Sequence, residues 1–127
     1  AHGWERVLAC LDARMREVYV AAYERADGGW RVCAEPAVMT PDRVAVPAGA
    51  ADWFGAGDGF AAYPALATAD GLAACDAALV PDARAIAELA LPRIAAGDAV
   101  DAAHALPVYV RHRVALTTAE REAGVRL

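Results

Sequence analysis

Three features of the sequence predict an α/β domain with one mixed sheet. Residues 7–24, VLACLDARMREVYVAAYE, hold two apolar runs separated by Asp12, Ala13 and Arg14, which reads as a β-hairpin at the centre of the sheet. A short strand at Asp52–Ala56 then crosses over through a helix to a strand in the apolar run Ala73–Val80, a connection that makes parallel neighbours. Finally, Pro81 and Asp82 open a stretch in which Ile86, Leu89, Ala90 and Ile94 recur at helical spacing. Strands joined by both tight turns and crossovers imply helices packed on a single sheet.

Each element has its own local reason. Val7–Leu11 has no polar residue, so the first strand is expected to be covered on both faces. Val18, Tyr19, Val20 and Tyr23 give the second strand β-branched and aromatic residues. Ala26, Asp27, Gly28 and Gly29 form the next turn, because Asp-Gly and Gly-Gly supply positive φ, and Trp30–Ala34 completes an antiparallel meander. Thr40, Pro41 and Asp42 signal a helix start, which Pro47 and Gly49 keep short. Asp58 is placed to cap a helix through Phe60, Ala62 and Tyr63 that Pro64 limits to two turns. In the longest helix Arg84 and Glu88 form an i,i+4 pair, Pro92 should kink the backbone, and Gly97 ends it. Leu106–Val110 reads as extended, and Thr117 with Glu120 as a small capping box before a terminal turn. The opening Ala1–Glu5 has no element of its own and, without an initiating Met, reads as the end of a preceding segment.

Composition excludes several classes of function. The chain of 127 residues is 58% hydrophobic, enough for one domain with a core and too apolar for disorder. No apolar run approaches the roughly 20 residues of a membrane helix, and no secretory signal is visible. A net charge of −5 argues against a nucleic-acid surface, which needs a basic patch. The three cysteines, Cys10, Cys33 and Cys75, lack metal or redox spacing and read as buried reduced thiols of a cytoplasmic protein.

The residues able to carry chemistry are few. Gly55, Gly57 and Asp58 lie in GAGDG, between a strand and a helix, where backbone N–H groups bind phosphate. Asp76, about twenty residues on, even mimics the acidic partner of a dinucleotide fingerprint. Against a nucleotide contact, the third glycine is one residue early and Asp58 puts a carboxylate where phosphate charge would sit. A structural turn is the favoured reading. His2, His104 and His112 do not pair with cysteines or carboxylates at metal spacing. The chain has no serine, and Thr40, Thr68, Thr117 and Thr118 sit at element edges where capping explains them. Asp12 and Glu17 flank the hairpin turn beside Arg14 and Arg16, which reads as a solvated salt link. Alternation sets Tyr109, Arg111 and Arg113 on one face of the late extended stretch, a face that could dock a partner. Neither a catalytic set, a cofactor nor a metal is predicted.

Three stretches also carry a resemblance. LDARMREVYVAAYE (11–24), WFGAGDGFAAYPAL (53–66) and PVYVRHRVA (107–115) resemble, in order and spacing, the second lobe of the bacterial TsaB (YeaZ) family of tRNA threonylcarbamoyladenosine biosynthesis proteins. Older usage calls these glycoprotease or M22 peptidase homologues. The resemblance implies an RNase H-like second lobe of the actin and sugar-kinase ATPase architecture, with residues 1–127 as one domain. It implies a non-catalytic subunit that pairs with a catalytic paralogue, TsaD, and is joined by the ATPase TsaE. TsaB-like proteins also form homodimers. The family's first lobe, which carries most of the surface for TsaD, is not matched, and the metal-binding histidines belong to the paralogue. Two alternative readings stay open: a nucleotide-handling lobe of a kinase-like or glycoprotease-like enzyme, acting through Gly55, Gly57 and Asp58, and a plain small-ligand or regulatory α/β module.

Overall fold

A computed structural model describes residues 2–49, 52–111 and 118–124. Five strands form one sheet: β1 (Arg6–Asp12), β2 (Val18–Ala26), β3 (Gly29–Met39), β4 (Trp53–Ala56) and β5 (Leu72–Asp76). Their order across the sheet is β3-β2-β1-β4-β5. β1, β2 and β3 pair antiparallel, while β1–β4 and β4–β5 are parallel. An antiparallel meander continued by two crossover strands is the topology expected of an RNase H-like lobe.

The hairpin and the meander form where predicted. The third strand runs further than its sequence signals indicate, to Met39, through Pro36. It can do so because β3 is an edge strand, where a residue without an N–H removes no ladder bond. The helix expected after Thr40 is a single 3₁₀ turn, Pro41–Arg43. The helix after β4, α1 (Gly59–Ala62), is one turn long and is followed by a second 3₁₀ turn at Pro64–Thr68. The last strand ends at Asp76 rather than Val80, since Asp76 folds its carboxylate back onto the Ala78 amide and opens a turn. The long helix α2 (Ala83–Ala95) starts at Asp82, whose carboxylate accepts from the Arg84 and Ala85 amides, and it continues past Pro92. Residues 106–110 pair with no strand, and a short α3 spans Thr118–Glu122. Thr117 and His112 lie outside the described residues.

The sheet has two unlike faces. One carries Leu8, Cys10, Val18, Val20, Ala22 and Trp53, sealed by Phe60 and Leu66 from the β4–β5 crossover. At about 1.5–3 kcal/mol for each large side chain removed from water, this cluster is the main source of stability. Strand alternation sends Val7, Ala9 and Leu11, with their partners Tyr23, Ala21 and Tyr19, to the other face. There only Ala21 is buried, so β1 is covered well on one side and thinly on the other. The thin cover is a stack of His2, Trp4 and Phe54, with ring centroids 4.3 and 5.0 Å apart, plus the edge of α2. No residue of α2 is buried, contrary to a helix packed on the sheet, and a cavity of about 340 Å³ remains among Val7, Tyr23, Trp30 and Leu89.

Candidate functional site

Of the residues singled out by sequence, Asp12, Glu17, Gly57, Asp58 and Arg111 gather where the end of β1 enters the hairpin turn. The Gly loop lies directly against that strand. A Cβ on Gly57, where φ is +125°, would stand 2.2 Å from the Cys10 carbonyl oxygen. One on Gly59 would stand 2.7 Å from Cys10 Sγ, and one on Gly55 would stand 2.5 Å from the Phe60 ring. These glycines are therefore required by close approach of backbone to backbone and ring. The Gly57 N–H donates to the Asp76 carbonyl at 3.2 Å, so it is already committed within the fold.

Asp58 has a different task from the helix cap that its position suggests. Its side chain makes no bond to the first turn of α1. Instead Oδ1 accepts the Asp12 amide at 3.0 Å, tying the loop to the last residue of β1. Burial first, and the Asp58 charge second, push the neighbouring Cys10 thiol up to about 11, so it stays protonated and inert. Cys33 is exposed on the edge strand and Cys75 is half-buried; all three are free thiols, so burial holds for Cys10 alone.

The turn after Asp12 is strained. Arg14, Met15 and Arg16 have φ of 61°, 53° and 63°, three consecutive left-handed residues with no glycine among them. That conformation costs an L-residue about 1–2 kcal/mol. Local bonds offset part of the cost: Asp12 Oδ1 accepts the Arg14 amide at 2.9 Å, and the Glu17 amide donates to the Arg14 carbonyl at 2.9 Å. The remainder comes from far along the chain. The Arg111 guanidinium donates to Glu17 Oε2 at 2.6 Å and to the Ala13 carbonyl at 3.1 Å, reaches Met15 Sδ at 3.1 Å, and lies 5.9 Å from the Tyr19 ring centroid.

Of the three residues read as a docking face, Arg111 is thus turned inward, its side chain 13% exposed. Tyr109 points to solvent and Arg113 lies outside the described residues. The turn salt link is also divided: Arg14 reaches Asp12 at 3.3 Å, while Glu17 takes Arg111. Sequence could not pair residues 94 apart; the only signal was an unassigned carboxylate and an arginine ending a stretch with no obvious strand partner. His2 meets Asp76 at 2.7 Å and His104 meets Asp101 at 2.9 Å, each as a pair. Among the described residues no three histidine, cysteine or carboxylate side chains gather as metal ligands.

No family model and no curated protein matches the chain. Solved structures do. An uncharacterized protein from Pseudomonas aeruginosa with similarity to peptidase YeaZ aligns at 46% identity and a TM-score of 0.78, over 87% of this chain and 51% of its own. YeaZ from Pseudomonas aeruginosa aligns at 46% identity and a TM-score of 0.75, over 85% of this chain and 50% of its own. Identity and fold agree over most of the chain, which therefore belongs to the YeaZ-like family and spans about half the length of these relatives.

Proposed function

We propose that the chain is the C-terminal lobe of a non-catalytic scaffold subunit in tRNA threonylcarbamoyladenosine modification, one that activates the catalytic paralogue TsaD, with TsaE joining the assembly. The single observation behind this reading is the 46% identity to YeaZ carried through a shared fold. The site chemistry is compatible with it. The Gly loop spends its close contacts on β1, Asp58 on the Asp12 amide, and Arg111 on the hairpin turn. These are contacts that fix a shape. A scaffold acts by presenting a fixed surface, and preorganisation lowers the ordering cost of association. Residency in the cytoplasm, where tRNA is modified, belongs to the same proposal.

Co-purification of the full-length protein with TsaD tests it, together with mass-spectrometric measurement of threonylcarbamoyladenosine in tRNA from a deletion strain. Retention of TsaD and loss of the modified nucleoside are expected. A full-length chain that leaves TsaD behind, in cells whose tRNA is normally modified after deletion, would overturn the assignment.

A further inference from the structure

We propose that residues 105–111 act as a strap that locks the hairpin turn and, through it, the Gly loop, so that the strap and loop are two ends of one coupled unit. The contacts form an unbroken path. Arg111 holds Glu17 and the Ala13 carbonyl, the two residues that bracket the left-handed run at Arg14, Met15 and Arg16. The Ala13 amide in turn donates to the Glu17 carbonyl at 3.0 Å, closing the turn. At its base, Asp12 accepts the Arg14 amide with its side chain and donates its own amide to Asp58. Asp58 begins α1 and follows Gly57, whose amide is bonded to β5.

Strain makes this path a switch rather than a mere series of contacts. A turn of three non-glycine left-handed residues persists only where its surroundings over-determine it. Here the strap is part of those surroundings, and it has no strand partner of its own to hold it in place. Its seat is largely the turn: Glu17, the Ala13 carbonyl, Met15 and the Tyr19 ring. Release of Arg111 frees the turn to relax into ordinary backbone, which withdraws the Asp12 amide from Asp58. Coupling of this kind is reciprocal, so anything that fixes the Gly loop also holds the strap down. A partner carboxylate that captured Arg111 in place of Glu17 would loosen the Gly loop without touching it.

Amide hydrogen exchange on the full-length protein tests the coupling. In Arg111→Ala, exchange at Asp12, Ala13 and Glu17 and at the Gly57 and Phe60 amides is expected to accelerate about tenfold or more, with Leu8, Cys10 and Val20 unchanged. Glu17→Gln, which keeps the fold's shape and removes the charge, should reproduce a smaller part of the same pattern. In an Arg16→Gly background, where one left-handed residue that does not touch Arg111 is no longer strained, the Arg111→Ala effect on the turn should shrink. Three results would each overturn the proposal: unchanged turn amides, acceleration spread uniformly through β1 and β2, or a loosened turn beside an unaltered Gly loop. An Arg111→Ala effect of equal size with and without Arg16→Gly would overturn the role given to strain.

Discussion

The two faces of the sheet are built from the same strands yet differ in nearly every physical respect. On the core face Leu8 is 2% exposed and Cys10 and Val18 are fully buried, with Trp53, Phe60 and Leu66 close-packed around them. On the opposite face Tyr19, Trp30 and Val32 are 37–43% exposed, and the helix above them leaves Leu89 56% exposed. The core face is sealed by a crossover of local connections, whose glycines let α1 sit directly on β1. The open face depends on three separate covers from outside the sheet: the His2–Trp4 stack, α2 and Arg111. One face therefore carries most of the stability, and the other is covered only by segments from outside the sheet.

The sharpest way to break this contrast is at the Gly loop. Gly57→Ala would drive a methyl group into the Cys10 carbonyl, a backbone atom that no rotamer change can move. The expected loss is about 4 kcal/mol or more, read from the urea midpoint, or failure to fold. Gly28 is the control, because its φ of +77° is unusual but nothing lies within 4 Å of a Cβ there. Leu8→Ala comes next, at about 2–5 kcal/mol for a cavity in a core that cannot collapse around it.

Chemistry should report the same asymmetry. At pH 8, alkylation of Cys10 is expected to be at least about a hundredfold slower than that of exposed Cys33, since its thiol is raised to about 11 and no solvent reaches it. Peptide mapping after timed iodoacetamide labelling measures the ratio; comparable rates would mean that the core face opens readily. Acid should act at the rim of that face, where Glu24 accepts from Arg6 at 2.6 Å and also bonds Arg31. Those bonds, Arg6 first, lower the Glu24 carboxyl below its ordinary 4.5. Its contribution is complete above that value and is lost as pH falls through the depressed folded value, because the unfolded chain takes the proton first. Glu24→Gln should flatten the fall of melting temperature with pH below about 4.5 and leave its slope at neutral pH unaltered.

What the sequence made legible follows the same division. The hairpin, the β2–β3 turn, the crossover and the start of α2 at Asp82 were readable because each rests on signals within a few residues: apolar alternation, Asp-Gly, Gly after a strand, a carboxylate before a helix. The length of β3 was hidden, since Pro36 ends most strands and only the sheet order reveals that this one is an edge. The true partner of Asp58 was hidden because capping is local and the Asp12 amide is 46 residues away. Arg111 was read by alternation as sharing a face with Tyr109, but outside a ladder alternation has no force, and the half-buried Glu17 carboxylate beside the turn redirected it. Local chemistry was legible; tertiary pairing between charged groups was not.

Leu89→Ala makes the smallest and most diagnostic change. Leu89 lies on the face of α2 turned toward Trp30 and Tyr23, at the spacing that marks a buried stripe in sequence. Periodicity alone would therefore place it with Leu8 and predict a loss of several kcal/mol. Yet it borders a cavity of about 340 Å³ and keeps more than half of its surface in water, so truncation removes few contacts and creates no new void. The expected change in this chain is within about 0.5 kcal/mol, the range of ordinary surface substitutions. Chemical denaturation of the 127-residue chain measures it. A loss of about 2 kcal/mol would instead mean that α2 closes onto the sheet in solution and that the two faces are alike in strength.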